Sequence, residues 1–185
     1  VQELELGFGD GRVLVQELEV GQEVHGVVGK RCGAMGLFVD VGAVREGLLE
    51  VAEFGEGFPL QGWPFRRGGV VQARVLHIDD EDRFYLTLRP GSLERPPRMR
   101  GCRGEVGAFL GQGAWLEGTV VGMAIWGVFV RLEPPGGGGP HDGVLAVQEF
   151  HESFAEVAAL GAKVSVRVLE ADEASSSLRL TMRGP

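Results

Sequence analysis

One pattern runs twice through this 185-residue chain. The first copy reads Val24-His25-Gly26-Val27-Val28, then Gly36-Leu37-Phe38-Val39-Asp40-Val41 and Glu46-Gly47-Leu48-Leu49, and closes with Val75-Leu76-His77-Ile78-Asp79 and Arg83-Phe84-Tyr85-Leu86-Thr87-Leu88-Arg89. The second reads Leu116-Glu117-Gly118-Thr119-Val120, Gly127-Val128-Phe129-Val130 and Asp142-Gly143-Val144-Leu145, and closes with Val168-Leu169-Glu170-Ala171-Asp172 and Leu178-Arg179-Leu180-Thr181-Met182-Arg183. Gly26 and Gly118 open the copies 92 residues apart. Solenoid repeats have periods of roughly 20–50 residues, so this is a duplicated domain. Each copy is about 75–80 residues, near the lower end of the domain range. Units so small bury modest cores, which favours closure of the sheet into a barrel.

The pattern sets the expected boundaries. Residues 1–19 are an acidic leader or an added strand, carrying Glu3, Glu5, Glu17 and Glu19. The first domain is expected over 20–90, a Pro/Arg-rich linker over 91–107 and the second domain over 108–183. Within each copy, apolar runs of four to eight residues bounded by Gly and Asp predict strands. Val70–Leu76 and Val164–Val168 alternate apolar and polar, and each leads through an Asp-, Glu- or Ser-rich turn into a last strand. Those turns, Asp79–Asp82 and Asp172–Ser177, predict hairpins. A helix is expected over Gln148–Val157, with a shorter counterpart near Leu49–Phe54. The fold class is therefore all-β: two five-stranded Greek-key barrels of the oligonucleotide-binding (OB) type, each with a short helix between strands three and four. Gly26 and Gly118 fall mid-strand, where a barrel strand must coil.

At these residues a family resemblance appears. Gly-x-Val on the first strand, Gly-x-Phe-Val on the second, Gly-Leu-Leu into the third, and Val-Leu-x-x-Asp before Leu-Thr-Leu-Arg resemble the S1 RNA-binding domain. Both copies together cover about 150 residues, within the size of two small domains. The resemblance implies an RNA-binding face on the second and third strands. It gives Phe38 the role of a stacking residue, with Met35 where the family has a further aromatic, Glu50 where it has a His, and Asp79 and Arg83 at the last hairpin. In the second copy it points to Trp126, Phe129 and Asp172, with Ala146 at the His position and Ser177 at the Arg position. Neither copy has the complete set.

Base stacking on an aromatic platform is worth about 1–3 kcal/mol and tolerates any base. Trp126 and Phe129 are three apart, so a regular strand would not place both on one face; a bend at Gly127 would. Lys30, Arg31 and Arg83 are candidate phosphate contacts. So are Arg98, Arg100 and Arg103 of the linker, where a basic island lies between prolines.

Composition narrows the function classes. The net charge is −8, which counts against a strong non-specific nucleic-acid binder and leaves protein docking open. No run approaches the roughly 18 apolar residues of a membrane span, so no membrane partner is expected. No signal or transit segment is visible, and a chain opening on Val1 is expected to continue upstream. Cys32 and Cys102 make neither a disulfide framework nor a zinc site. The four histidines, His25, His77, His141 and His151, match no nucleophile or metal spacing. The Gly136–Gly139 run lacks the Gly-Lys-Ser/Thr ending of a phosphate loop. No enzyme activity, cofactor or metal is expected. The chain has no Asn, only two Ile and two Lys, and 31 Gly, a codon bias towards a GC-rich genome. A green-algal nuclear gene with a product in the chloroplast stroma fits, as does a high-GC bacterium with a cytoplasmic one.

Three readings follow. The first is an RNA-binding, translation-associated and ribosome-associated protein that holds single-stranded mRNA or rRNA through two linked modules, whose linkage raises avidity. The second is an architectural subunit that docks on protein in a large ribonucleoprotein or polymerase assembly, with degenerate RNA faces. The third is a regulatory segment of an RNA-processing enzyme whose catalytic part lies elsewhere.

Overall fold

The structure, a computed structural model, describes residues 11–111 and 113–185. The expected acidic residues Glu3 and Glu5 lie outside the described residues. The chain divides into two units. The first holds the described residues up to Gly55 together with Trp63–Leu93; the second holds Glu56–Gly62 together with Glu94–Pro185.

Each unit is built on a closed five-stranded barrel. The first contains β1 (Glu23–Cys32), β2 (Gly36–Asp40), β3 (Gly47–Glu50), β4 (Val70–Ile78) and β5 (Phe84–Thr87), in the order β1-β2-β3-β5-β4. The second contains β6 (Leu116–Ala124), β7 (Gly127–Leu132), β8 (His141–Ala146), β9 (Lys163–Asp172) and β10 (Ser177–Thr181), with the matching order. In both, the third and fifth strands run parallel and the other pairs antiparallel. These are the expected OB-type barrels, and closure leaves no free sheet edge.

Alternation in the sequence becomes inside and outside. Val24 and Val28 on β1, Leu37 and Val39 on β2, Leu49 on β3, Val71, Ala73 and Val75 on β4, and Phe84 and Leu86 on β5 are all buried in one core. In the second barrel Val120, Val128, Val130, Leu132, Leu145, Val166, Leu178 and Leu180 do the same.

The glycines of Gly-x-Phe have a steric cause. A Cβ on Gly36 would run into the Leu49 carbonyl, and one on Gly127 into the Leu145 carbonyl. Only glycine lets the second and third strands approach this closely. A Cβ on Gly26 or Gly118 would likewise strike the second strand, at Val39 or Val130.

A second shared device sits between barrel and helix. Buried Glu53, in a short 3-10 helix (Val51–Glu53), accepts a 2.7 Å hydrogen bond from the Thr87 hydroxyl, and its carbonyl accepts the Leu88 N–H. In the second unit Thr181 donates to Glu149 at 2.5 Å, and Met182 N–H to the Glu149 carbonyl. The Thr of Leu-Thr-Leu and Leu-Thr-Met thus ties the last strand to the helical connection.

Two expectations change in detail. The helix expected over Gln148–Val157 is broken into a 3-10 turn (Val147–Glu149) and a short α1 (Phe154–Val157). Phe150 leaves helical geometry (φ −68°, ψ 145°). Its ring is buried edge-on against Phe154 at 4.8 Å and against Phe58 at 5.1 Å. Packing of the aromatic rings overrides the helical pattern. Before β1, the described part of the leader is no regular strand. Val13 makes one bridge to Ala43, and a 3-10 turn (Val15–Glu17) follows, with Val15 and Leu18 in the core.

Candidate nucleic-acid interface

The first barrel carries a lateral row of side chains across its wall. Phe38 on β2 pairs with Leu48 on β3, Leu48 with Tyr85 on β5, and Tyr85 with His77 on β4. Inward neighbours on these strands are buried, so the row faces out. Lys30 lies at its other end, in the β1 irregularity between Val28 and Arg31, with its Nζ 5.7 Å from the Phe38 ring centroid. Tyr85 and His77 are stacked at 5.9 Å with planes 28° apart. The row offers flat π surfaces with a cation at one end, which is what stacking on unpaired bases requires.

Below Tyr85, Asp79 organises the hairpin. It accepts the Arg83 and Glu81 backbone N–H groups at 2.9 and 3.0 Å, the Arg83 guanidinium at 2.8 Å and, at 3.4 Å, the Tyr85 hydroxyl. Its partial burial pulls the pKa up, but the Arg83 and Glu81 donors and the Arg83 charge outweigh this and hold Asp79 at about 2. Arg83 also reaches Glu81 at 3.1 Å. Its guanidinium therefore orders the turn and meets two carboxylates, which offset the charge it would show to a phosphate. Met35 is exposed in the β1–β2 turn, where it offers a flexible thioether in place of a ring.

The second barrel keeps the place of the row and changes its chemistry. Phe129 pairs with Val144, Val144 with Arg179, and Arg179 with Glu170. Arg179 and Glu170 form a 2.6 Å ion pair where the first barrel stacks Tyr85 on His77. Gly122 faces Phe129 where the first barrel has its cation over the ring. In compensation, Trp126 stands edge-on to Phe129, 5.4 Å away at 76°. The β6–β7 turn at Ile125–Trp126 brings both rings to one surface, with Trp126 38% exposed.

The linker arginines are not brought to that aromatic pair. Arg98, Arg100 and Arg103 are exposed. Arg103 bridges to His141, at the end of β8 opposite Ala146, and Ala146 is the residue paired with Gly127 beside Trp126. The carbonyl of Arg100 accepts from Arg131, which also clasps Asp142 at 2.7 and 2.9 Å. Arg31 stacks its guanidinium on Trp63 at 4.7 Å. Sequence reasoning missed Tyr85, His77 and Leu48, whose places directly beside the buried Phe84 and Leu86, Leu76 and Leu49 were the available signal, because successive strand residues face opposite sides. It also missed Trp63.

Among the described residues no group of three His, Cys, Asp or Glu side chains could hold a metal ion, and both cysteines are free thiols. No helix of the described residues is long and apolar enough to cross a membrane.

No protein-family model matches the chain. Individual relatives do. It is 29% identical over 175 residues to the small ribosomal subunit protein bS1 homolog of Bacillus subtilis, covering 92% of this chain and 42% of that protein. It is 30% identical over 169 residues to bS1 of Leuconostoc lactis, covering 90% and 37%. With bS1 of Rhizobium meliloti it shares 30% over 173 residues, covering 92% and 29%. The two barrels are tandem OB-fold domains, and the chain is similar to bacterial ribosomal protein bS1 over about nine tenths of its length. The chain spans less than half the length of these relatives. The bS1 relatives are bacterial, which overturns the chloroplast expectation: GC-rich codon usage is shared by high-GC bacteria, and only the comparison separates the two sources.

Proposed function

We propose that this chain is an RNA-binding, translation-associated S1-like protein of the bacterial cytoplasm, and that its first barrel makes the principal contact with single-stranded RNA. The observation that carries this reading is the row Lys30, Phe38, Leu48, Tyr85 and His77, which lines up one cation and three rings across four adjacent strands and the irregular edge of β1. Stacking makes such a surface tolerant of sequence. Trp126 with Phe129 adds a smaller platform on the second barrel, and linkage of two modest sites raises affinity without new contacts. Ribosome association is part of the proposal and draws support from the names of the bS1 relatives.

The test is a titration of a fluorescent poly-U oligomer at low and moderate salt. RNA binding gives saturable affinity that weakens as salt rises and falls in Phe38→Ala. No binding at low salt contradicts the reading.

A second reading is an architectural role, in which the barrels dock on protein within a ribonucleoprotein assembly and the RNA faces are degenerate. The Arg179–Glu170 ion pair favours it for the second barrel, because the pair occupies the stacking position with charges that satisfy each other. The net charge of −8 favours it for the chain as a whole. A chain that fails to bind poly-U yet copurifies with ribosomal subunits supports this reading over the first.

A further inference from the structure

The first unit holds a groove of about 480 Å³ beside the aromatic row, and its chemistry is distinct from the row's. It is lined by Lys30, Arg31, Arg66 and Arg67, with Phe65 and Leu37 as its apolar wall. Lys30 belongs to both features: it lines the groove and stands over Phe38. The groove therefore continues the row.

Its walls are held in place. The turn that carries the two arginines closes with Gly69 N–H on the Arg66 carbonyl at 2.9 Å, and is clamped to β1 by Gly68 N–H to the Val28 carbonyl and Val28 N–H to the Gly69 carbonyl, both 2.8 Å. Behind it, Phe54 meets Phe65 edge-on at 5.7 Å and Trp63 at 6.0 Å, and Trp63 supports the Arg31 guanidinium at 4.7 Å. Four cations are thus set around one concavity by backbone pairing and an aromatic stack. The Glu46 carboxylate lies against Gly29, which also lines the groove. In a chain of net charge −8, four cations around one groove run against the overall charge. Their mutual repulsion is relieved when an anion enters.

We propose that this groove binds the phosphate backbone of single-stranded RNA, taking the strand onward from the bases stacked on Phe38 and Tyr85, with Arg66 and Arg67 as the principal phosphate contacts. The inference rests on the RNA-binding reading above. Its ligand is a run of phosphodiesters, because the groove has cations on one side, Phe65 and Leu37 on the other, and shares Lys30 with the row.

The test uses the full chain and a labelled U12 oligomer, with binding measured across a salt series. For single strands each neutralised phosphate contributes about 0.7 to the slope of log affinity against log salt, so Arg66→Ala/Arg67→Ala is expected to flatten that slope by about 1.4 and to weaken binding at low salt by about tenfold. Both arginines are exposed, so the thermal midpoint should stay near that of the parent chain. Arg66→Lys/Arg67→Lys keeps the charge and should keep the slope. If the parent chain binds, Phe38→Ala weakens binding and the arginine double variant changes neither affinity nor slope, the groove assignment is overturned and the stacking row stands. If the double variant weakens binding and Phe38→Ala does not, the groove stands and the row falls. If inorganic phosphate displaces the oligomer at constant ionic strength, the site is one for free anions and the assignment to RNA backbone is overturned. A parent chain that does not bind U12 overturns both.

Discussion

Tyr85 stacks on His77 at 5.9 Å, with the ring planes 28° apart. The register places Arg179 opposite Glu170 at the same point of the second barrel, joined by an ion pair at 2.6 Å. The duplicated scaffold has kept its geometry while its two outer faces have diverged in chemistry. Removal of a stacking ring should therefore matter on one barrel and little on the other. Tyr85→Ala is expected to cost about 1–3 kcal/mol of RNA affinity, one base stack, whereas Arg179→Ala should change it little. Fluorescence anisotropy with a poly-U oligomer reads both.

The Thr87–Glu53 contact makes a prediction about stability. Thr87→Val fills the same volume but removes the hydroxyl that donates to a buried carboxylate. Hydrogen bonds to charged groups are worth about 1.5–3 kcal/mol, so a loss of that order is expected in urea or thermal unfolding. Thr87→Ser keeps the donor and should recover most of it. Thr181→Val, facing Glu149, should behave alike in the second unit.

The Gly36 and Gly127 positions should tolerate no side chain. Gly127→Ala drives a methyl group into the Leu145 carbonyl. Overpacking of this kind costs about 1–3 kcal/mol, and the melting temperature should fall accordingly. Gly33, whose substituent would meet nothing within 4 Å, is the spatial control; its positive φ of 55° adds backbone strain there, so Gly33→Asn, which suits the left-handed region, is the fairer comparison.

Acid should loosen the β4–β5 hairpin through Asp79. Its pKa is depressed from 3.8 to about 2, with partial burial opposing and the Arg83 and Glu81 donors prevailing. A depressed carboxylate pKa contributes stability that is complete above the unfolded value and is lost as pH falls through the folded one. The contribution should be full at neutral pH and fade between about pH 4 and 2. Asp79→Asn is expected to lower the melting temperature at pH 7, and the difference from the parent chain should shrink over that window.

Much of the barrel was legible because strand alternation and turn residues are local signals. Val24 and Val28 face in, Asp79–Asp82 turns the hairpin, and Gly-x-Phe recurs where strands approach closely. The aromatic row was not, because Phe38, Leu48, His77 and Tyr85 are neighbours only through register across four strands. Phe38 and Trp126 could be named from the resemblance, but the role of Arg83 could not be judged without its distances to Asp79 and Glu81. The part played by Trp63–Gly69 was not legible because its partners, Arg31 for Trp63 and Val28 for Gly68 and Gly69, lie on another strand. The break in the helix at Phe150 arises from contacts with Phe154 and Phe58, the second of which is distant in sequence.

The most direct measurement is an NMR titration of the isotope-labelled chain with a short uridine oligomer. Binding through the first barrel predicts that the largest shift changes fall on Phe38, Leu48, His77 and Tyr85, with smaller ones at Trp126 and Phe129. Changes confined to the second barrel, or none at low salt, would contradict it.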